Sequence, residues 1–195
     1  GVGGGIMDQF VSVLGNQSEA LFLNTANRNY ELIPIFKDYK FVIIDSNTQR
    51  ILSDSNFNQK KELCYSAAKN MNVENLCVKS KIGEHDIQSL SDDELSVSKH
   101  VIEENIRVVK AAQFLKSNGA EEFGKLMTES HMSLSKYYKV STLELDKLVD
   151  LANSFGASGS KLTGAGFGGA IVTLVKKELV EELKKYILDN YPNAK

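Results

Sequence analysis

The chain has little of what builds special chemistry into a small protein. Its 195 residues contain two cysteines, Cys64 and Cys77. That is too few for a disulfide scaffold and fits idle thiols in a reducing, cytoplasmic compartment. Two prolines and no low-complexity segment or internal repeat leave one large domain or two small ones. No apolar run approaches the roughly 18 residues of a membrane span. The opening Gly1-Val-Gly-Gly-Gly5 has neither the basic region nor the apolar core of a signal peptide. Net charge is −2, so there is no basic excess to drive nucleic-acid binding. No spacing of His, Cys or carboxylates matches a zinc site. The first residue is not methionine, and the first stretch reads as the interior of a longer polypeptide.

Hydrophobic content of 42% and charged content of 25% are those of a globular protein. Glycine is unevenly spread: Gly156-Ala-Ser-Gly-Ser-Lys-Leu-Thr-Gly-Ala-Gly-Phe-Gly-Gly169 holds six glycines in fourteen residues. Glycine tolerates left-handed backbone and close approach, so such a run offers bare N–H groups suited to phosphate. Its literal G-x-G-x-x-G, Gly164, Gly166 and Gly169, follows a helical pattern and precedes the strand-like Ala170–Val175. A dinucleotide fingerprint needs the reverse order, which excludes a Rossmann site. A helix C-cap running into a tight turn explains the spacing equally well.

Periodicity predicts the remaining elements. Met7–Leu14 reads as a short helix closed by Gly15, with Asp8 in its first turn. From the pattern alone, Asp8 is a charge that helps the helix. Glu19–Leu23 and Tyr30–Ile35 form a hairpin, and Lys40–Ile44 reads as a central strand ending in the polar loop Asp45–Thr48. Ser53–Met71 is helical, and residues 72–93 are irregular. Within them Ile82-Gly-Glu-His-Asp86 reads as a solvated loop. Helices follow over Leu95–Leu115 and Ala120–Tyr138, and a capping box at Ser141-Thr-Leu-Glu144 opens another. His100 and His131 read as hydrogen-bonded structural histidines. A last helix covers Lys177–Leu188.

Four segments together resemble the galactokinase family of the galactokinase/homoserine kinase/mevalonate kinase/phosphomevalonate kinase (GHMP) superfamily. They are Gly5-Ile-Met-Asp-Gln-Phe10, Ser98–Asn105, Met127-Thr-Glu-Ser-His-Met-Ser133 with its continuation Tyr138–Leu148, and Gly159–Gly169. The resemblance implies an α+β fold, a small antiparallel sheet with helices packed on one side. It makes residues 1–35 the end of the family's N-terminal domain and 36–195 its C-terminal domain. It implies transfer of the γ-phosphate of MgATP to the anomeric hydroxyl of galactose, with Asp8 as catalytic base and Gly5, Asp8 and Phe57 touching the sugar. Thr163, Gly164, Gly166, Gly168 and Gly169 would belong to the superfamily's third motif.

The chain departs from the family pattern in two ways. Phe57 stands where galactokinases usually carry tyrosine, which leaves an N-acetylgalactosamine kinase-like enzyme as an alternative. A non-catalytic galactokinase-like sugar sensor is another. The family's N-terminal Arg-x-Asn-Leu-x-Gly-Glu-His signature and its Gly-Leu-Ser-Ser-Ser nucleotide loop are not in these residues. The main ATP and Mg²⁺ site is therefore expected in an N-terminal half outside this chain. The chain alone is then expected to be inactive, with no metal site of its own.

Overall fold

The computed structural model describes residues 6–48 and 54–195, apart from the side chains of 54–57. Helix α1 (Met7–Leu14) leads into the antiparallel hairpin β1 (Glu19–Leu23) and β2 (Tyr30–Pro34), in register from Glu19 opposite Pro34 to Leu23 opposite Tyr30. The Asn24 side chain accepts from Ala26 N and shapes the turn. No residue of α1 is buried, and its apolar Met7 and Val13 are 64% and 81% exposed.

A second sheet runs β3 (Tyr39–Asp45), β5 (Ala170–Lys176), β4 (Gly159–Leu162). The expected central strand is an edge strand. Among the described residues β3 has a neighbour on one side only, and alternate residues Phe41 and Ile43 are 36% and 58% exposed. Its unbroken apolar run imitates burial on both faces, but β5 holds the centre. Nor are the helices confined to one side. Ile171 and Val175 face Leu145, Leu148 and Val149 of α6 (Leu143–Phe155) and Leu183 and Ile187 of α7 (Val180–Asn190). The alternate residue Leu174 packs with Phe36 and with Ala120 and Met127 of α5 (Ala120–Ser133). Period-two alternation along one strand thus serves two cores.

Helix α2 (Asp54–Asn70) packs on α4 (Asp92–Lys116), with Ala67, Ala68, Met71 and Leu76 around Ile102. Ser91 and Glu94 form the capping box that starts α4. Glu94 also accepts from Ser66 and Asn70 of α2. The Ser66 hydroxyl, the Ser91 amide and the other donors outweigh burial and hold its carboxyl below the usual carboxylate range.

The stretch expected to be irregular contains a 3₁₀ turn, Leu76–Val78, and a short helix α3 (Glu84–Ser89). Ile82–Asp86 is no solvated loop. Asp86 is buried, paired with Lys79 at 2.6 Å and accepting from Gly83 N. The capping box predicted at Ser141 does not form. Thr142 is the N-cap, accepting from Leu145 N, because the Ser141 hydroxyl donates to Asp146 instead. Helix α5 runs into a π-helical turn, Leu134–Tyr138, that ends at left-handed Lys139. Among the described residues no helix is long and apolar enough to cross a membrane.

His100 is 6% exposed, with Nδ1 2.9 Å from Ser133 Oγ and its ring 4.7 Å from that of Tyr138. Burial pushes its pKa down to about 4, aided by Arg107 and Lys161 and opposed by Glu104. An unfolded histidine binds a proton below about pH 6.5, whereas this folded one stays neutral down to about pH 4. Stability therefore falls as the pH drops through that window, by up to about 3 kcal/mol from this group. Urea midpoints measured from pH 7 to 4 should decline, and His100→Gln should flatten the decline. An equal slope in the variant would remove His100 as its cause.

Candidate active site

The glycine run is three things in succession. Gly156 ends α6 in the left-handed conformation at φ 104°, as a C-cap glycine does. Gly159–Leu162 is then a strand, β4, which its composition hides. Residues 163–169 form the loop between β4 and β5, closed by Thr163 N donating to Ala170 O.

Within that loop Gly164, Gly166, Gly168 and Gly169 all have positive φ, and so does Phe167 at 59°. The non-glycine residue is held there by its amide, which donates to Val140 O at 2.7 Å, and by packing of its ring on the α6–α7 core. Backbone strain of this kind gathers where a surrounding structure dictates the loop's shape. The amides of Gly164, Ala165, Gly168 and Gly169 make no hydrogen bond within the chain among the described residues. They are donors in search of an acceptor, on a backbone without side chains to block approach.

Two networks fix the loop. On one side Ser46 closes against it: its amide and its hydroxyl both donate to Gly169 O, at 2.9 and 2.6 Å. The polar loop Asp45–Thr48 is thus brought beside the glycine run. On the other side the buried His131 accepts from Leu162 N at Nδ1, and its Nε2 lies 3.1 Å from Asp146. Nδ1 accepts, so Nε2 carries the proton and donates to the carboxylate. Asp146 also accepts from Ser135 and Ser141. Burial lowers the pKa of His131, against the pull of Asp146, which keeps the ring neutral and this tautomer in place.

Both histidines are the hydrogen-bonded groups that the sequence suggested. Ser46 and Asp146 carry no signal of their own in the sequence pattern. Each acts through a partner more than ten residues away, so local pattern carries no trace of it.

Asp8 stands in the first turn of α1, exposed, with its carboxylate free of any hydrogen bond or ion pair among the described residues. Ser12 Oγ donates to its backbone carbonyl, not to the side chain. No bond links Asp8 to the glycine loop among the described residues. Gly5 lies outside the described residues. Phe57 falls within α2, but its side chain is also outside them. No group of three or more His, Cys, Asp or Glu side chains among the described residues is placed to hold a metal ion.

The family described as GHMP kinases C terminal matches residues 111–193. A galactokinase of Thermotoga maritima is 36% identical over 193 residues, covering 98% of this chain and 54% of that protein. One of Clostridium acetobutylicum is 38% identical over 199 residues, covering 98% and 51%. The chain therefore spans about half the length of the curated relatives it matches. The crystal structure of Lactococcus lactis galactokinase complexed with galactose superposes on all of this chain and 54% of that one, with a TM-score of 0.93 and 30% identity. An L. major mevalonate kinase in complex with R-mevalonate shares the fold at a TM-score of 0.56 and 18% identity.

Proposed function

We propose that this chain, whose residues 111–193 belong to the GHMP kinase C-terminal family and which is similar to galactokinases along nearly its whole length, supplies one half of a sugar 1-kinase. The reaction is transfer of the γ-phosphate of MgATP to the anomeric hydroxyl of galactose. Residues 1–35 finish the N-terminal domain and 36–195 form the C-terminal one. The sugar, MgATP and an N-terminal half outside these residues are its partners, in the cytoplasm.

The observation that carries the reading is the free carboxylate of Asp8, in a chain that superposes in full on a galactose-bound galactokinase. Phosphoryl transfer asks little covalent chemistry of a protein. It needs a positioned hydroxyl, a group to take its proton, and donors around the moving charge. Asp8 accepts the proton from the anomeric hydroxyl. Gly5 and Phe57 border the sugar, Phe57 by packing its ring. The loop formed by Thr163, Gly164, Gly166, Gly168 and Gly169 presents its unpaired amides to phosphate oxygens, where preorganised donors count most. Mg²⁺ would travel with ATP and offset its negative charge. Ser46, His131 and Asp146 touch no reactant; they hold the loop in shape.

The test is a coupled ADP-release assay with MgATP and galactose, run in parallel with N-acetylgalactosamine and glucose. The 195-residue chain alone should be silent, because the main phosphate cradle lies outside it. The same residues within a polypeptide of the relatives' full length should turn over galactose in preference to the other two. Preference for N-acetylgalactosamine would reassign the substrate and make Phe57 the residue to examine. Silence with every sugar would sink the enzyme reading in favour of a sugar sensor.

A further inference from the structure

Strand β4 has one strand neighbour among the described residues, β5. Its other edge faces helix α5, and two side chains of that helix stand in for a strand. The Ser160 amide donates to Thr128 Oγ1 at 3.3 Å, and the Leu162 amide donates to His131 Nδ1 at 3.2 Å. Leu162 is the last residue of β4, and the next amide, Thr163 N, closes the glycine loop by donating to Ala170 O. The acceptor on Leu162 therefore sets where the loop begins.

The two acceptors differ in one respect. A hydroxyl accepts at any ordinary pH, whereas an imidazole accepts only while it is neutral. A proton taken up by His131 occupies Nδ1 and sets a donor against the Leu162 N–H. The bond at the other nitrogen survives, because Nε2 already donates to Asp146, 3.1 Å away. Charging the ring thus breaks the contact that holds the loop and keeps the contact that holds the ring. Leu162 and His131 are 2% and 4% exposed, so solvent gives the stranded amide little to bond. The charged groups facing His131 are Asp146 and Asp150 of α6, which favour the proton, and Lys161 of β4, which opposes it. On the α4 side Glu104 is bonded to Ser130 and Lys161. Burial outweighs the two carboxylates and puts the charging of His131 below the ordinary histidine range.

We propose that His131 is a positioning residue that works as a proton-operated latch on the glycine loop: neutral, it fixes the Leu162 amide and the loop beyond it, and protonated, it releases both. The consequence for turnover rests on the phosphotransfer reading, in which the amides of that loop face phosphate oxygens. Acid then slows phosphoryl transfer and leaves sugar binding nearly unchanged, since in the same reading the sugar is bordered by Gly5, Asp8 and Phe57.

The experiment is nuclear magnetic resonance of the 195-residue chain, following the histidine ring nitrogens and the backbone amides from about pH 8 to about pH 5. At the upper end His131 should carry its proton on Nε2. As the ring charges, hydrogen-exchange protection of the Leu162 amide, corrected for the intrinsic rate, should fall about tenfold or more, the worth of one hydrogen bond. The Ser160 amide should keep its protection, because Thr128 does not titrate. His100, with its pKa of about 4, stays neutral over this range. His131→Asn sets an amide oxygen where Nδ1 stands and should make Leu162 protection independent of pH, with thermal unfolding to show that the variant folds. In the longer polypeptide with MgATP and galactose, kcat should drop about tenfold with the same midpoint, KM for galactose should hold within about twofold, and His131→Asn should abolish the drop. A neutral ring with its proton on Nδ1 would overturn the proposal. So would equal loss of protection at Ser160 and Leu162, or an acid fall in kcat that His131→Asn leaves in place. Silence with every sugar would count against the phosphotransfer reading alone, and exchange at Leu162 would still decide whether the latch exists.

Discussion

Gly159→Ala should destabilise the chain by about 3 kcal/mol or more, a shift in the unfolding midpoint of roughly 10 °C for a chain of this size. The added methyl carbon would stand 1.8 Å from Gly124 O and 2.6 Å from Gly124 Cα. Both are backbone atoms of α5, so no flexible side chain can swing aside. Strand β4 and helix α5 would have to part, taking Met127 from the core it shares with Leu174. The reciprocal change, Gly124→Ala, places its methyl 2.1 Å from Ser158 O. In an open helix alanine gains about 1 kcal/mol over glycine, so here the usual sign is reversed. Gly156→Ala is the control. It has φ 104° and nothing within 4 Å, so it costs only the left-handed backbone, about 1–2 kcal/mol. Urea unfolding of the three variants gives the ranking, and Gly159→Ala milder than Gly156→Ala would refute the contact.

Asp8→Asn should lower turnover about 100- to 10,000-fold in the longer polypeptide, the range a positioned proton acceptor supplies. Sugar binding measured by calorimetry should change little, because the amide can still accept a hydrogen bond from the sugar. Stability should fall only slightly. The carboxylate has no partner among the described residues, and its favourable place in the first turn of α1 contributes about 0.5 kcal/mol. Turnover within a few-fold of the parent would take the base away from Asp8. Loss of turnover together with loss of folding would mean that Asp8 is structural and that its carboxylate finds a partner.

The helices were legible because their apolar stripes are long. In α6, Leu145, Leu148, Val149 and Ala152 recur at the helical period and all end up buried. The hairpin was legible from its polar turn. The glycine loop was legible as bare backbone, and Asp8 as a first-turn acid whose role only the family likeness supplied.

Four features had no local signature. β4 has one apolar side chain in four residues, and it is a strand only because β5 pairs with it and α5 crowds Gly159. β3 looks central by composition, since apolar content does not count neighbours. The capping box at Ser141 does not form, because its hydroxyl donates to Asp146 and Thr142 caps the helix alone. The Lys79–Asp86 pair buries Asp86 in a stretch whose Glu84 and His85 stay exposed. For β3 and β4 the deciding neighbour is fixed by the sheet, whereas for Ser141 and Asp86 it lies five and seven residues away, at spacings that a helical or strand period does not read.

Helix α4 has a thermodynamic role beyond its packing. Its 25 residues make a rod of about 37 Å. Close to its middle Ile102 sits among the residues of α2, and near its end Leu115 reaches the core formed by Phe36, Ala120 and Leu174. Between them Glu104 ties it to Lys161 of β4. A helix is cooperative along its length, so neither cluster can melt without loosening the other. The two cores should therefore unfold in one transition, with a defect in either shifting the whole.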